Sequence, residues 1–290
     1  MNSYNLLGIE MVRICAVQMN VVHNDVPKNH KKAKNYVVQA GDKECDFLVF
    51  PEIFLEGVIR DIGSLNKLAR PIPGEYTDWF TKYAEEYGMH IVMGSIHEKT
   101  VDGFYNTSVL IDDKGNIVGK YRKNFLWASE NKFLKPSKER PVFDTKFGKV
   151  GINICWDFAF PEVANTIARK GAKILFGPSF WSLEDKYGMA KNSSTLEKLS
   201  NVEPEPQFVD TLVSARAYEN EMLVVYVNPY GKYNLGNYEI NLFGHTQLAM
   251  PFFGTFAKMH DDEGMLVVDA NTEWLDMAEE VYAIRKTYND

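Results

Sequence analysis

Five short apolar runs, each stopped abruptly by a polar residue, a glycine or a proline, constrain this chain more than any other feature. They read "VRICAVQM", "DFLVF", "VGINIC", "KILFGPSFW" and "MLVVYVN". Aliphatic and β-branched runs of this length, bounded in this way, predict strands buried on both faces. Segments of helical character lie between them, over 26–40, 75–87, 160–171 and 207–221. Strands that alternate with helices predict α/β layers. Two hairpin signals make the sheet mixed rather than purely parallel: "DDKGN" joins "FYNTSVLI" to "IVGKYRK", and "KFGK" joins "PVFDT" to "VGINIC". "HIVMGSIHEK" is expected as one strand. The C-terminal part adds strands at "GHTQLAMP" and "GMLVVDA" and a helix after Asn271. The polar stretch 182–206 is long for a connection and is expected to be a functional or solvated loop. No linker, repeat or low-complexity tract divides the chain, which predicts one domain over 1–290, with 1–10 a short extension ahead of Met11.

Composition excludes several classes of function. The net charge is −7 and no basic stripe offsets it, so nucleic acid is not the expected partner. The locally basic "PKNHKKAKN" reads as a solvated helix start. No apolar run approaches the ~18 residues that span a membrane, and the first residues lack a signal-peptide pattern. The 3 cysteines have no CxxC spacing, so neither a disulfide framework nor a zinc site is expected, and a reducing cytoplasm fits. No glycine-rich phosphate loop or HExxH spacing appears, so neither a cofactor nor a metal is expected.

Three strand ends carry reactive side chains. Glu52 follows "DFLVFP", Lys123 ends "IVGKYRK" and Cys155 ends "VGINIC". Each alone has an ordinary explanation: a helix-start acid, a solvated lysine, a buried apolar cysteine. Ligand-binding groups of open α/β sheets gather outside the carboxyl ends of strands, so the three together predict one pocket. Histidine, the usual partner of a catalytic cysteine, stands beside none of these residues. His90 and His97 read as structural, and His245 in "FGHTQ" is kept as a pocket candidate.

The blocks "DFLVFPE", "GKYRKNFLW" and "GINICWDFAFPE", followed by "GPSFW" and "SARAYENEMLVVYVN", resemble the nitrilase superfamily of carbon–nitrogen hydrolases. The resemblance runs over nearly the whole chain. It implies a four-layer αββα sandwich and a catalytic triad at Glu52, Lys123 and Cys155, with Glu130 as a second glutamate near the pocket. Cys155 would attack an amide carbonyl, Glu52 would carry the proton, and Lys123 with the Trp156 N–H would hold the oxyanion. A neighbouring Lys ammonium is expected to lower the thiol pKa and burial to raise that of Glu52. Two departures are visible: Phe125 stands where the family often has histidine, and Ser137 where it often has glycine.

The resemblance implies hydrolysis of a small linear amide through a cysteine thioester. N-carbamoyl-amine hydrolysis is the alternative, because "CWD" with "FPE" is similar to that branch, and nitriles come after both. An idle or glutaminase-like scaffold subunit is the reading from another class. Trp156, Asp157, Phe180 and Trp181 are expected to line the oxyanion and substrate pocket. The acidic residues after Trp181 either favour a cationic substrate or form a solvated loop. Members of this family commonly pair, so a homodimer or larger homo-oligomer is expected.

Overall fold

The computed structural model describes residues 11–188 and 192–287; the extension 1–10 lies outside them. One sheet is built from β1 (Met11–Gln18), β2 (Phe47–Val49), β3 (His90–Val92), β4 (Ile96–Thr100), β5 (Gly103–Ile111) and β6 (Ile117–Arg122). A second contains β7 (Val142–Thr145), β8 (Gly148–Ile152), β9 (Ile174–Pro178) and β10 (Leu223–Val227). The chain then makes a separate hairpin, β11 (Tyr230–Asn234) and β12 (Glu239–Phe243). It returns to the second sheet as β13 (Gln247–Met250) and β14 (Gly254–Lys258), and to the first as β15 (Gly264–Asn271). The strand orders are β15-β1-β2-β3-β5-β4, with β6 also on β5, and β14-β13-β10-β9-β8-β7.

The period-2 alternation of a strand sorts its residues between two environments. In β1, Val12, Ile14 and Ala16 face the second sheet, while Cys15 and Val17 join the helix side. Phe47 meets Phe176 across the two sheets at 5.0 Å between ring centroids. The outer face of the first sheet is covered by α1 (Val26–Asp42) and α3 (Glu75–Tyr87). In α1 the buried Val26, Asn29, Ala33, Val37 and Ala40 recur at helical spacing, and Asp25 caps the helix by accepting from the Lys28 N–H at 3.1 Å. Helices α4 (Pro161–Arg169) and α6 (Glu205–Asn220) cover the second sheet. Each buried Val, Leu or Ile side chain contributes about 1.5–3 kcal/mol. The result is a four-layer α/β/β/α sandwich, with both sheets mixed.

Several local expectations are corrected. "HIVMGSIHEK" is two strands, because Gly94 has φ +41° and packs against the Phe50 and Pro51 carbonyls. There β3 ends its parallel pairing with β2, and β4 starts an antiparallel pairing with β5. The hairpin β11–β12, strand β14 and α2 (Ile62–Leu68) have no counterpart in the sequence reading. The 182–206 stretch is not a plain loop. It contains a 3-10 turn at Asp185–Tyr187, helix α5 (Ser193–Leu199) and the start of α6. Short helices α7 (Glu273–Val281) and α8 (Ile284–Thr287) close the described chain.

Cys15 and Cys45 are joined as a disulfide with Cα atoms 6.2 Å apart, contrary to the expectation that no disulfide forms. Parallel pairing of β1 with β2 sets Cys15 opposite Leu48, which brings the turn before β2 beside it. Disulfides persist in oxidising compartments, so the cysteines no longer argue for a reducing one. Among the described residues, no helix is long and apolar enough to cross a membrane.

Candidate active site

Strand ends of both sheets supply the reactive groups. The Glu52 N–H donates to the Ser179 carbonyl at 3.1 Å, tying the segment after β2 to the segment after β9. Lys123 follows β6, and its N–H donates to the Asn106 carbonyl of β5 at 2.9 Å. Cys155 lies three residues past β8, not at its tip. It opens a 3-10 turn, Cys155–Ala159, with φ +48°. A non-glycine residue held there costs about 1–3 kcal/mol and persists only where its surroundings over-determine it.

Asp157 supplies that over-determination. One carboxylate oxygen accepts from the Ile154 N–H at 2.9 Å and the Tyr121 hydroxyl at 2.7 Å. The other accepts from the Asn124 N–H at 3.2 Å and the Phe125 N–H at 2.8 Å. A single fully buried side chain therefore fastens the residue before Cys155 to the two residues after Lys123. Burial pushes its carboxyl up to about 6, against the opposing pull of these hydrogen bonds. The expectation that Asp157 lines the substrate pocket is corrected: all its oxygen contacts face the interior, and it is absent from the pocket wall. On the other side, Arg216 of α6 donates to the Phe158 carbonyl at 3.1 and 2.6 Å, holding the same turn against the helix layer.

The polar centre is densely bonded. Lys123 Nζ donates to Glu52 Oε1 at 2.8 Å and to Glu130 Oε2 at 2.9 Å. Asn106 Nδ2 donates to the same two glutamates, at 2.7 Å and 3.2 Å. Glu130 sits in a 3-10 turn, Ala128–Lys132, and accepts from the Trp127 N–H at 2.6 Å. Cys155 lines the same pocket as Glu52 and Lys123, near enough for the charges of the three groups to act on one another. Asn106 was not anticipated. Its one signal was a polar residue inside the strand "FYNTSVLI", where polar residues also occur on solvated faces.

Charge follows from this packing. Burial raises the Glu52 carboxyl, Lys123 opposes, and Glu130 adds to the rise. Burial works against the Lys123 ammonium, but Glu130 and Glu52 outweigh it and hold the lysine firmly charged. The Cys155 thiol is pushed up by burial and by Glu52 more than Lys123 pulls it down. The expected lowering by Lys123 is therefore outweighed, and the resting sulfur is a thiol.

These groups open into a pocket of about 710 Å³. Its aromatic wall includes Trp127, Trp156, Phe180 and Trp181. Trp156 packs on Trp127 at 4.4 Å and on Trp181 at 5.7 Å between centroids. Trp181 is fixed by its indole N–H, which donates to Glu205 at 2.7 Å, and by Asn228, which accepts from its backbone N–H at 2.7 Å. His97, read from sequence as structural, also lines the pocket and lies 3.8 Å from the buried Glu56. His245 does not line it. That histidine pairs with Asp210 of α6 at 3.2 Å instead. Among the described residues, no group of three or more His, Cys, Asp or Glu is arranged to hold a metal ion.

Comparison with known proteins gives the family. The carbon-nitrogen hydrolase family model matches residues 13–276, and this chain belongs to that family. It is 31% identical over 281 residues to the probable nitrilase C965.09 of Schizosaccharomyces pombe, covering 95% of this chain and 92% of that one. It is 28% identical over 255 residues to a protein of Bacillus subtilis named 2-oxoglutaramate amidase, covering 87% and 88%. Its fold is similar to the crystal structure of Saccharomyces cerevisiae Nit3, a member of branch 10 of the nitrilase superfamily. That match has a TM-score of 0.77 at 24% identity and covers 93% of each chain.

Proposed function

We propose that this chain is an amidase that hydrolyses small linear amides through a thioester on Cys155. The observation that carries the reading is Lys123 bonded to both Glu52 and Glu130 in the pocket that Cys155 also lines. The amidase name of the Bacillus subtilis relative supports amides over N-carbamoyl amines.

Cys155 Sγ adds to the carbonyl as Glu52 takes the thiol proton. The carbonyl oxygen becomes an oxyanion, stabilised by the Lys123 ammonium and the Trp156 N–H. Collapse breaks the C–N bond, and Glu52 returns the proton to the departing nitrogen. Water then adds to the thioester, with Glu52 as base, and releases the acid and the thiol. Glu130 and Asn106 keep Lys123 and Glu52 in register through both halves of the cycle.

A panel of aliphatic amides, N-carbamoyl amines and nitriles tests this, with ammonia release and the mass of the Cys155 peptide as readouts. Amides should turn over and leave an acyl adduct on Cys155, and Lys123→Ala should be as inactive as Cys155→Ala. Adducts from nitriles alone, or normal turnover by Lys123→Ala, overturn the reading. We also infer a homodimer or larger assembly. Support comes from an exposed apolar face formed by Phe253 after β13 and by Met277 and Val281 of α7.

A further inference from the structure

The charged groups at the pocket fall into two sets. Glu52, Lys123 and Glu130 satisfy one another. Glu184 accepts from the N–H and side-chain amide of Asn241, both at 2.9 Å, and Glu239 pairs with Lys232 at 3.1 Å. Asp185 alone among the pocket's carboxylates has neither a cation nor a second chain segment to neutralise it among the described residues. Among the described residues its carboxylate accepts from the N–H and hydroxyl of Ser182 in its own turn, at 2.8 and 3.2 Å, and from no other group. The two remaining cations, Arg60 and Lys132, are exposed on the pocket wall, and Arg60 stacks over Tyr238 at 5.1 Å.

The surroundings of Asp185 suit a cation rather than an anion. The wall beside it carries the rings of Trp127, Trp156, Trp181 and Tyr187, and aromatic faces attract an ammonium group. Glu205, which holds the Trp181 indole, adds a second negative charge close enough to repel that of Asp185. Burial, with Glu205 and Glu52 also contributing, pushes the Asp185 carboxyl up to about 7. A bound cation would relieve all of these costs. Asp185 and Cys155 line the same pocket. A substrate with its carbonyl at Cys155 extends its acyl chain into the space that Asp185 faces.

We propose that Asp185, framed by the tryptophan wall, is the specificity residue of this site and selects amides whose acyl chain carries an ammonium group. This rests on the amidase reading and narrows it. It separates this chain from an enzyme built for an anionic acyl group such as the 2-oxoglutaramate in the relative's name, since a half-buried pocket carboxylate facing an anionic substrate is repulsive.

Three amides of equal length test the proposal: 5-aminopentanamide, hexanamide and glutaramate, the monoamide of a five-carbon diacid. The aminoamide should be preferred over the neutral amide by about tenfold or more in kcat/KM, as expected for a desolvated charge pair. Glutaramate should be the poorest of the three. Asp185→Asn keeps the acceptor for the Ser182 N–H and should bring the amine-to-neutral ratio close to one, mainly through KM. The neutral amide measured on the same variant separates misfolding from lost selectivity. The wild-type ranking decides the matter even if the variant does not fold. Preference for glutaramate, or a ratio that Asp185→Asn leaves intact, overturns the proposal while the amidase reading stands. Release of ammonia from none of the three amides overturns both.

Discussion

Asp157 touches no pocket atom, yet activity should depend on it. Its two oxygens hold four donors, three of them backbone N–H groups flanking Lys123 and Cys155. Asp157→Asn preserves size but leaves one oxygen to accept. The amide nitrogen must then face either the Ile154 N–H or the Asn124 and Phe125 N–H groups. The Tyr121 hydroxyl can rotate and accept, whereas a backbone N–H cannot. The least costly orientation strands the Ile154 N–H, and an orphaned buried donor costs about 1–3 kcal/mol. The local answer to that cost is a shift of the Cys155 turn, and a misplacement near 1 Å costs about 100-fold in rate. Urea unfolding followed by tryptophan fluorescence, with amide hydrolysis at saturating substrate, measures both effects. The expected pattern is a modest loss of stability with a disproportionate fall in kcat and little change in KM. Asp210→Asn, similarly destabilised but remote from the pocket, should keep its kcat. Wild-type kcat in Asp157→Asn would refute the idea that this carboxylate positions the nucleophile.

Three further outcomes follow from the same geometry. Asn106→Leu removes a donor that favours ionised Glu52, so the acid limb of the kcat/KM pH profile should move to higher pH and the maximum should fall about tenfold, the equivalent of one charge-assisted hydrogen bond. Asp210 is held down to about 2, because hydrogen bonds from His245, Lys258 and Gln247 outweigh the rise due to burial. Its contribution is present above the ordinary aspartate value and is lost as pH falls from about 4 to 2, so Asp210→Asn should remove about 1 kcal/mol of that acid sensitivity after solvent screening. Alkylation under non-reducing denaturation should label Cys155 alone, and prior reduction should add Cys15 and Cys45; three labels without reductant would count against the disulfide.

How much of this was legible in the chain depended on where partners lie. Glu52, Lys123 and Cys155 could be read because each follows shortly after a strand, and the segments leaving strand ends converge in α/β sheets. Asp157 could not, since its partners are backbone groups more than thirty residues away in Asn124 and Phe125, and backbone groups leave no trace in residue identity. Asn106 was hidden by the alternation of its strand, where an inward polar residue looks like an outward one one position away. The β11–β12 hairpin escaped because "YGKYN" and "EINLF" are short and largely solvated, so their pairing depends on packing against the rest of the molecule. The Cys15–Cys45 contact arises from parallel β1–β2 pairing, and cysteine spacing alone does not express that register.

Glu52 and Lys123 hang from the first sheet and Cys155 from the second. The reactive centre is thus a seam between two separately hydrogen-bonded slabs, joined there by the Glu52–Ser179 bond, by the Asp157 carboxylate's bonds to Tyr121, Asn124 and Phe125, and by side-chain packing. Each slab can keep every one of its own strand pairings while sliding slightly against the other. Catalytic alignment is then the most sensitive gauge of how the slabs dock. Turnover should fail at lower denaturant concentration than the loss of far-ultraviolet dichroism, and thinning the inter-sheet Phe47–Phe176 contact should widen that gap.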